Sequence, residues 1–294
     1  MTPIILGNLV IHKIVEMESG LPMPMALPGV TDADIALMRA WYWDDSLTPD
    51  PATACFTLSV HSYVVQVDGR TILIDSCNGN HKDRSIPFVH RLNTPWLDNL
   101  RAIGVEPADV DMVLCTHLHA DHVGWNTRLE NGRWVPTFPN ARYILGRQDY
   151  AFFREQEHEA FHREAYLDSV LPVVEAGLAD IVDENSAVHG EAENGIWLRP
   201  AFGHSPGSCM VAARRNGPTA LFSGDVLHHP IQLIRPDLAF FADWDAPRAV
   251  AVRSALLDEI ADTDTLLLPA HFRGRSAGHV ERGEQGFRFR FLPE

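Results

Sequence analysis

Short apolar runs alternate with polar loops along most of the chain, and the spacing within each run predicts a strand. Residues 9–16 alternate imperfectly between apolar and polar positions, and residues 56–67 and 70–75 flank Asp68-Gly69, which is a strong hairpin signal. Residues 112–115 form a continuous apolar run, which is typical of a buried strand. Four more runs have strand character: 141–145, 197–199, 219–222 and 265–268.

Helical spacing is present in four other stretches. Residues 96–103 predict a helix that Gly104 terminates, and residues 32–43 predict a short helix with Thr31 as its N-cap. Residues 246–262 predict an amphipathic helix, because apolar side chains recur at helical spacing: Ala249, Val252, Leu256 and Ile260. Residues 147–176 are rich in helix-forming positions, and we interpret them as an insertion that forms a lid or a flank.

The order of these elements predicts the fold class. Residues 181–222 contain short strands separated by Gly and Asn turns, which indicates a second sheet, and Phe287, Phe289 and Phe291 alternate with arginine as an edge strand would. Two halves of strands followed by helices predict an α/β protein in which two sheets meet at a groove. With 294 residues, we expect one domain over the whole chain.

An irregular arm interrupts this pattern at residues 17–53. It contains Met17, Met23, Met25 and the aromatic cluster Trp41-Tyr42-Trp43, without the periodicity of one long element. Methionine and aromatic side chains suit adaptable apolar surfaces, so the arm could supply a wall of the active site or a homodimer contact. The alternative is that it packs on its own core.

The strand at 112–115 leads into four residues with metal-ligand chemistry: His117, His119, Asp121 and His122. Side chains two apart in an extended segment leave on the same side, so the first two histidines can bind one ion. Asp121 and His122 follow the bend and can face a second ion. One loop can therefore begin two metal sites.

Three later residues can complete these sites, because each also follows a predicted strand. They are His204, in Gly-His-Ser-Pro-Gly, Asp225, in Ser-Gly-Asp-Val, and His271, in Pro-Ala-His-Phe. A single histidine or aspartate in a loop is usually a solvated surface group. The recurrence at successive strand ends, where α/β proteins place their chemistry, favours a shared site for all seven residues. His158 and His162 lie four apart in the insertion, where we expect a solvated helix face rather than a metal site.

Residues 117–122 read His-x-His-x-Asp-His, and with His204, Asp225 and His271 in this order the chain resembles the metallo-β-lactamase-fold hydrolase superfamily over roughly residues 58–272. The resemblance implies a four-layer αβ/βα sandwich with two mixed β-sheets and flanking helices. It implies that His117, His119 and His204 hold one metal, that Asp121, His122 and His271 hold the other, and that Asp225 bridges them. Asp75, which also ends a predicted strand, would hydrogen-bond a ligand rather than bind metal.

The implied cofactor is a pair of divalent ions, with zinc as the first choice and Mn, Fe or Co compatible with the same ligand types. Such a pair activates water for attack on a carbonyl or phosphoryl group, so we expect a metal-bridging hydroxide as the nucleophile. Asp121 could then relay a proton as a catalytic residue. Ser205 lacks the G-x-S-x-G context of a serine nucleophile.

Charge and composition exclude several partners. The chain carries 24 Lys and Arg against 39 Asp and Glu, a formal charge of −15, which repels phosphate backbones and anionic lipid. We therefore expect a small, partly hydrophobic substrate and neither nucleic acid nor membrane as partner. The four cysteines are scattered in apolar contexts, no run of 18 apolar residues occurs and no leader-like segment opens the chain, so we expect a cytoplasmic protein.

The resemblance leaves the substrate class open. A bridging aspartate is typical of the lactonase, esterase and phosphotriesterase branches, and the chain resembles the branch of N-acyl homoserine lactonases and methyl parathion hydrolase. We expect hydrolysis of a lactone or carboxylic ester; the alternatives are a phosphotriesterase, a mononuclear iron persulfide dioxygenase and a non-catalytic metal-stabilised module. Signalling lactonases have Tyr three residues after the bridging Asp, where this chain has His228, which could replace that hydrogen bond to the substrate or lie on the surface.

Overall fold

The computed structural model describes residues 2–42, 48–155 and 160–293, and within them two seven-stranded sheets dominate. The first sheet contains, in spatial order, β1 (Ile4–Leu6), β2 (Leu9–Pro22), β3 (Cys55–Val67), β4 (Arg70–Ile74), β5 (Met112–Leu114), β8 (Arg142–Gly146) and β9 (Ala179–Val182). The second contains β10 (Ala187–Glu191), β11 (Asn194–Pro200), β12 (Cys209–Ala213), β13 (Ala220–Gly224), β14 (Leu266–Pro269), β15 (Gly278–Arg282) and β16 (Phe287–Phe291). A small hairpin joins β6 (Thr127–Glu130) to β7 (Arg133–Pro136).

Both large sheets are mixed. In the first, β1 to β4 are antiparallel neighbours, whereas β4, β5, β8 and β9 run parallel. In the second, only β13 and β14 are parallel. The carboxyl ends of parallel neighbours lie at the same edge of a sheet, so the loops that follow β4, β5, β13 and β14 are brought close together.

The helices of the described residues are α1 (Met23–Ala26), α2 (Asp32–Arg39), α3 (Trp96–Ala102), α4 (Ala120–Val123), α5 (Arg147–Glu155), α6 (Ala160–Ala165), α7 (Leu171–Glu175), α8 (Ile231–Ile234) and α9 (Ala246–Ile260). Of these, α3, α5, α6, α7 and α9 cover the outer faces of the sheets. A π-helical turn, Tyr166–Val170, joins α6 to α7.

Three apolar interfaces create four layers. Val65 and Ile72 of the first sheet pack against Val211 and Phe222 of the second. The outer face of the first sheet packs on α3 and the insertion, and the outer face of the second packs on α9. Alternation along the strands gives each sheet two apolar faces, one for the facing sheet and one for helices. The predicted αβ/βα sandwich is therefore confirmed.

Several predicted boundaries require correction. Strand β2 continues to Pro22, so the first six residues of the arm belong to the sheet; a register shift between Val15 and Met17 breaks the alternation while the strand continues. The segment around Ile181 lies in the first sheet as β9, not in the second. The hairpin of β6 and β7 was not predicted. Thr31 caps α2 as predicted, but the helix ends at Arg39, and Trp43 and His158 lie outside the described residues.

The rest of the arm packs on the chain's own core. Met23, Met38 and Tyr42 are buried in a cluster with Ile231 and Leu238. The alternative of intramolecular packing therefore holds for these side chains, and an arm-mediated homodimer stays a prediction. Among the helices of the described residues, none combines the length and the apolar character needed to cross a membrane.

Candidate metal centre

The loop after β5 is positioned by a buried carboxylate. Asp75, at the end of β4, accepts hydrogen bonds from the backbone N–H and the hydroxyl of Thr116, both at 2.8 Å. The chain then turns into α4, which begins after His119. His117 Nε2 lies 2.9 Å from His119 Nδ1, and His122 Nε2 lies 3.6 Å from Asp121 Oδ2. His117 therefore lies beside His119, and Asp121 beside His122, as the spacing in the sequence predicts.

The three distant candidates reach the same place. His204 lies in the loop after β11, while Asp225 and His271 follow β13 and β14. Asp225 Oδ2 lies 3.2 Å from His204 Nε2, and Asp225 Oδ1 lies 3.1 Å from His271 Nε2 and 3.2 Å from His122 Nε2. All seven candidate ligands therefore lie in one cluster, with Asp225 at its centre.

The donors divide into two adjacent groups. In the first, His117, His119 and His204 direct ring nitrogens toward a common point, with His204 Nε2 3.0 Å from His119 Nδ1. In the second, Asp121, His122 and His271 converge, with Asp121 Oδ2 3.7 Å from His271 Nε2. The carboxylate of Asp225 lies between the groups. Such His and Asp clusters on this fold imply divalent metal ions.

Hydrogen bonds orient the histidines from behind. His122 Nδ1 donates to Asp75 at 2.8 Å, His204 Nδ1 donates to Asp243 at 2.9 Å, and His271 Nδ1 donates to the carbonyl of Ser59 at 3.0 Å. The bond to Asp75 is the one that the family resemblance implies. These bonds leave each Nε2 free of a proton in the neutral ring, which is the form that binds a metal.

Sequence reasoning missed Asp243, because it lies 39 residues beyond its partner His204 in a loop without any ligand-like spacing. It also missed Asp149 at the start of α5. The buried carboxylate of Asp149 accepts from Leu118 N at 3.0 Å, Ser205 Oγ at 2.7 Å and Gly207 N at 2.6 Å. It thereby connects the loops that carry His119 and His204. No pattern in a single sequence marks either aspartate.

Close packing at this junction requires a glycine. A Cβ on Gly207 would lie 2.3 Å from the backbone nitrogen of Asp149, so any side chain would force the loop after His204 away from the start of α5. Burial raises the pKa of Asp149 to about 6, although its three donors oppose that shift.

The electrostatics of the cluster favour a bound cation. Burial and the neighbouring histidines hold the pKa of His117 and His119 well below the usual range. Burial also opposes the charged form of His204, but Asp225 and Asp243 outweigh it and raise the pKa to about 9. Asp225 is buried too, yet the surrounding histidines hold its pKa well below the ordinary value. A buried anion among converging imidazoles is stabilised by positive charge, whether from protons or from metal ions.

His228 is a buried neighbour of this cluster rather than a surface residue. Its Nε2 lies 3.2 Å from Asp225 Oδ2, and its ring stacks on Phe240 with centroids 3.6 Å apart. Burial lowers its pKa to about 4, so the ring is neutral at pH 7. Nδ1 is buried and has no hydrogen-bond partner among the described residues.

A cavity of about 890 Å³, counting its open mouth, lies over the cluster. Its floor includes His119, Asp121 and Asp225. Its walls are largely apolar: Met17, Leu21, Leu58, Val60, Ile86, Phe88, Val89, Phe161, Phe240 and Phe241. None of the described lining residues is Lys or Arg. The arm thus contributes Met17 and Leu21 to the wall.

The prediction of a solvated helix face in the insertion is wrong for His162. This half-buried ring lines the cavity and stacks on His119, with centroids 5.1 Å apart and planes 10° apart. Its position follows from the way α6 folds back over the site, which spacing along a helix cannot reveal.

Two of the curated proteins that the chain partly matches are a ribonuclease and a lactonase. The chain is 27% identical to Ribonuclease TTHA0252 of Thermus thermophilus over 187 residues, which are 60% of this chain and 37% of that protein. It is 30% identical to the N-acyl homoserine lactonase AttM of Azorhizobium caulinodans over 125 residues, which are 42% of this chain and 43% of that protein. The chain thus spans less than half the length of either relative.

A solved structure and a family model match more of the chain than these two relatives do. The solved structure of AidC, a dizinc quorum-quenching lactonase, superposes with a TM-score of 0.79 at 18% identity, covering 100% of this chain and 97% of that chain. At this identity the likeness establishes the fold. The model of the metallo-beta-lactamase superfamily matches residues 56–271, which include all seven candidate ligands. Most of the chain lies within that match, and the protein belongs to the metallo-beta-lactamase superfamily.

Proposed function

We propose that this protein is a metal-dependent hydrolase that opens a lactone or cleaves a carboxylic ester in a small, partly apolar substrate. The observation that carries the proposal is the His and Asp cluster at the floor of an apolar cavity whose described lining lacks Lys and Arg. The lactonase relative supports an ester bond as the target.

The donor set fits two divalent ions, of which zinc suits the mixture of imidazole and carboxylate ligands. His117, His119 and His204 would hold one ion, Asp121, His122 and His271 the other, and Asp225 would contribute to both. The buried Nε2 of His122 and Oδ1 of Asp225 lack well-formed hydrogen bonds among the described residues, as expected for atoms that face a cation. When bound, the ions supply Lewis acidity that polarises the substrate and lowers the pKa of water.

The side chains of the cavity have separate tasks in this mechanism. The apolar walls bind the hydrophobic part of the substrate and exclude water from the reacting carbonyl. Asp121 keeps part of its side chain exposed to the cavity, 24% in relative terms, so its carboxylate can move a proton from the attacking water to the leaving oxygen. His228 stays neutral and donates its Nε2 hydrogen toward Asp225 or the substrate oxygen.

Charge argues against the chemistry of the ribonuclease relative. With a formal charge of −15 and neither Lys nor Arg in the described cavity lining, the protein lacks the basic surface that binds a phosphate backbone. A neutral phosphotriester lacks that charge and fits the same cavity, so phosphotriester hydrolysis is the second candidate. We further propose that neither nucleic acid nor membrane is a partner and that the chain acts as a single cytoplasmic domain.

The test combines metal analysis with a substrate panel. Protein purified without added metal is measured for metal per chain and then assayed on an acyl homoserine lactone, a γ-lactone, p-nitrophenyl butyrate and an aryl phosphotriester. Two ions per chain with faster turnover of a lactone or ester is the expected result. Preference for the phosphotriester would support the second candidate. One iron per chain, without hydrolysis but with oxygen uptake on a thiol persulfide, would refute both.

A further inference from the structure

Two segments that line the cavity are joined by a buried ionic network outside the candidate metal centre. The first segment, residues 78–90, supplies Ile86, Phe88 and Val89 to the wall. The second, residues 160–170, supplies Phe161 and His162. The segments are distant in sequence, so contacts between them set the width of that side of the cavity.

Asp168, in the π-helical turn, is the centre of this network. Its carboxylate accepts two hydrogen bonds from the guanidinium of Arg84, at 2.5 Å and 3.0 Å, and the Arg84 side chain is only 1% exposed. Lys82 donates to the backbone carbonyl of Asp168 at 3.0 Å and lies 3.5 Å from its carboxylate. π-helical turns are rare and occur frequently at functional sites.

The remaining contacts fix Lys82 in the same place. Its Nζ donates to Thr127 Oγ1 at 2.5 Å and lies 3.7 Å from the ring centroid of Trp134, both on the β6–β7 hairpin. Closer to the surface, the backbone N–H of Ser85 donates to Glu164 at 2.9 Å. The two segments are therefore linked at three positions, two of them buried.

Burying the charges of Arg84 and Asp168 costs hydration free energy, so stability alone does not explain this network. A buried ion pair is often no more stabilising than apolar residues of the same volume, because the charges lose their hydration. What it provides is fixed geometry, since the two parallel hydrogen bonds of Arg84 define both distance and angle. The segments it fixes carry the wall residues within a few positions.

We propose that Asp168 and Arg84 are positioning residues that set the width of the apolar side of the cavity and thereby the preference for substrates with longer acyl chains. The proposal rests on the function proposed above, because it takes this cavity as the substrate site. Loosening the network leaves the metal-binding side chains in place but lets the two wall segments move apart. A long acyl chain then loses contact, whereas a short one, held near the floor, does not.

The test uses Asp168→Asn, which removes the charge with little change of shape, and Arg84→Lys, which keeps the charge but loses the paired hydrogen bonds. Glu259→Gln is the control, because its ion pair with Arg199 is exposed and lies on the opposite half of the protein. Each variant is assayed with p-nitrophenyl acetate and octanoate, and amide hydrogen exchange is followed in residues 78–90 and 160–170.

We expect both network variants to raise the KM for the octanoate roughly tenfold, with kcat and the KM for the acetate within about twofold of wild type. Exchange should accelerate in both segments, and the control should match wild type. Equal exchange and equal KM in the network variants would overturn the proposal. If Asp168→Asn does not fold, Arg84→Lys decides by the same criteria. If the wild type hydrolyses neither these esters nor the lactones of the substrate panel, the proposed function fails and so does the acyl-chain preference, while the exchange data still decide whether the network joins the segments.

Discussion

Replacing Asp243 by Asn tests how the protein tunes its candidate metal centre. The carboxylate accepts from His204 Nδ1 at 2.9 Å through one oxygen and from the backbone N–H of Phe240 at 2.8 Å through the other. An asparagine has one acceptor oxygen, so its amide N–H₂ must face one of these donors. The loss of a hydrogen bond to a charged acceptor costs about 1.5–3 kcal/mol, which corresponds to a roughly 10- to 100-fold weaker affinity for metal.

The loss of metal affinity should depend on pH, because protons compete with the metal for His204. In the metal-free protein the pKa of His204 is raised to about 9, so at pH 7 a proton must leave before metal binds. Asp243→Asn lowers this pKa and therefore reduces proton competition at pH 7, which offsets part of the lost affinity. At pH 9 the competition is small, and the full loss should appear.

Zinc affinity of the metal-free protein is measured by chelator competition at pH 7 and pH 9, with the exposed Asp264→Asn as the matched control. We expect the ratio of the variant Kd to the wild-type Kd to be larger at pH 9 than at pH 7, and the control to match wild type at both. A variant with wild-type affinity at both pH values would refute the role assigned to Asp243.

Four further predictions concern other parts of the molecule. Asp225→Asn should reduce bound metal from two ions to one or none per chain while circular dichroism remains native, and full metal content in the variant would contradict the bridging assignment. Burial lowers the pKa of Lys82 from 10.5 to about 7, so between those values the unfolded state binds more protons and stability rises with pH. Lys82→Met should remove about 3–5 kcal/mol of that rise, measured by urea unfolding from pH 7 to pH 10. An unchanged slope would contradict the lowered pKa of Lys82. Thr31→Ala should lower the free energy of unfolding by about 1 kcal/mol, because the capping box with Asp34 is lost; an identical urea midpoint would exclude it. Phe241→Ala should raise the KM for p-nitrophenyl octanoate more than that for the acetate, because this ring lines the cavity, and equal effects on the two esters would contradict an apolar acyl site.

The candidate ligands could be predicted from the sequence because each lies in a loop that follows a short apolar run. The end of a buried strand is a position that local composition reveals, and parallel strands bring such ends to one edge of a sheet. His117 to His122 also carry their spacing within a single loop. The order of the motifs then indicated the family, which the match over residues 56–271 establishes.

Boundaries were less predictable where backbone geometry changes without a change in composition. The register shift after Val15 reversed the alternation and concealed the end of β2, and the hairpin of β6 and β7 is too polar to show a buried face. Strand β9 was assigned to the wrong sheet, because sequence order does not specify which neighbour a short strand will pair with.

By itself, the sequence determined the two-sheet architecture and the residues able to bind metal, since both depend on local periodicity and side-chain chemistry. Only the tertiary structure decided what surrounds them: Asp149 and Asp243 behind the histidines, His162 and His228 beside them, and the network of Asp168. Apart from the local contact of His228 with Asp225, these contacts join segments that several elements separate, and their closeness depends on how sheets and helices pack. The strength of a buried hydrogen bond or charge depends on that environment, and no spacing along the chain encodes it.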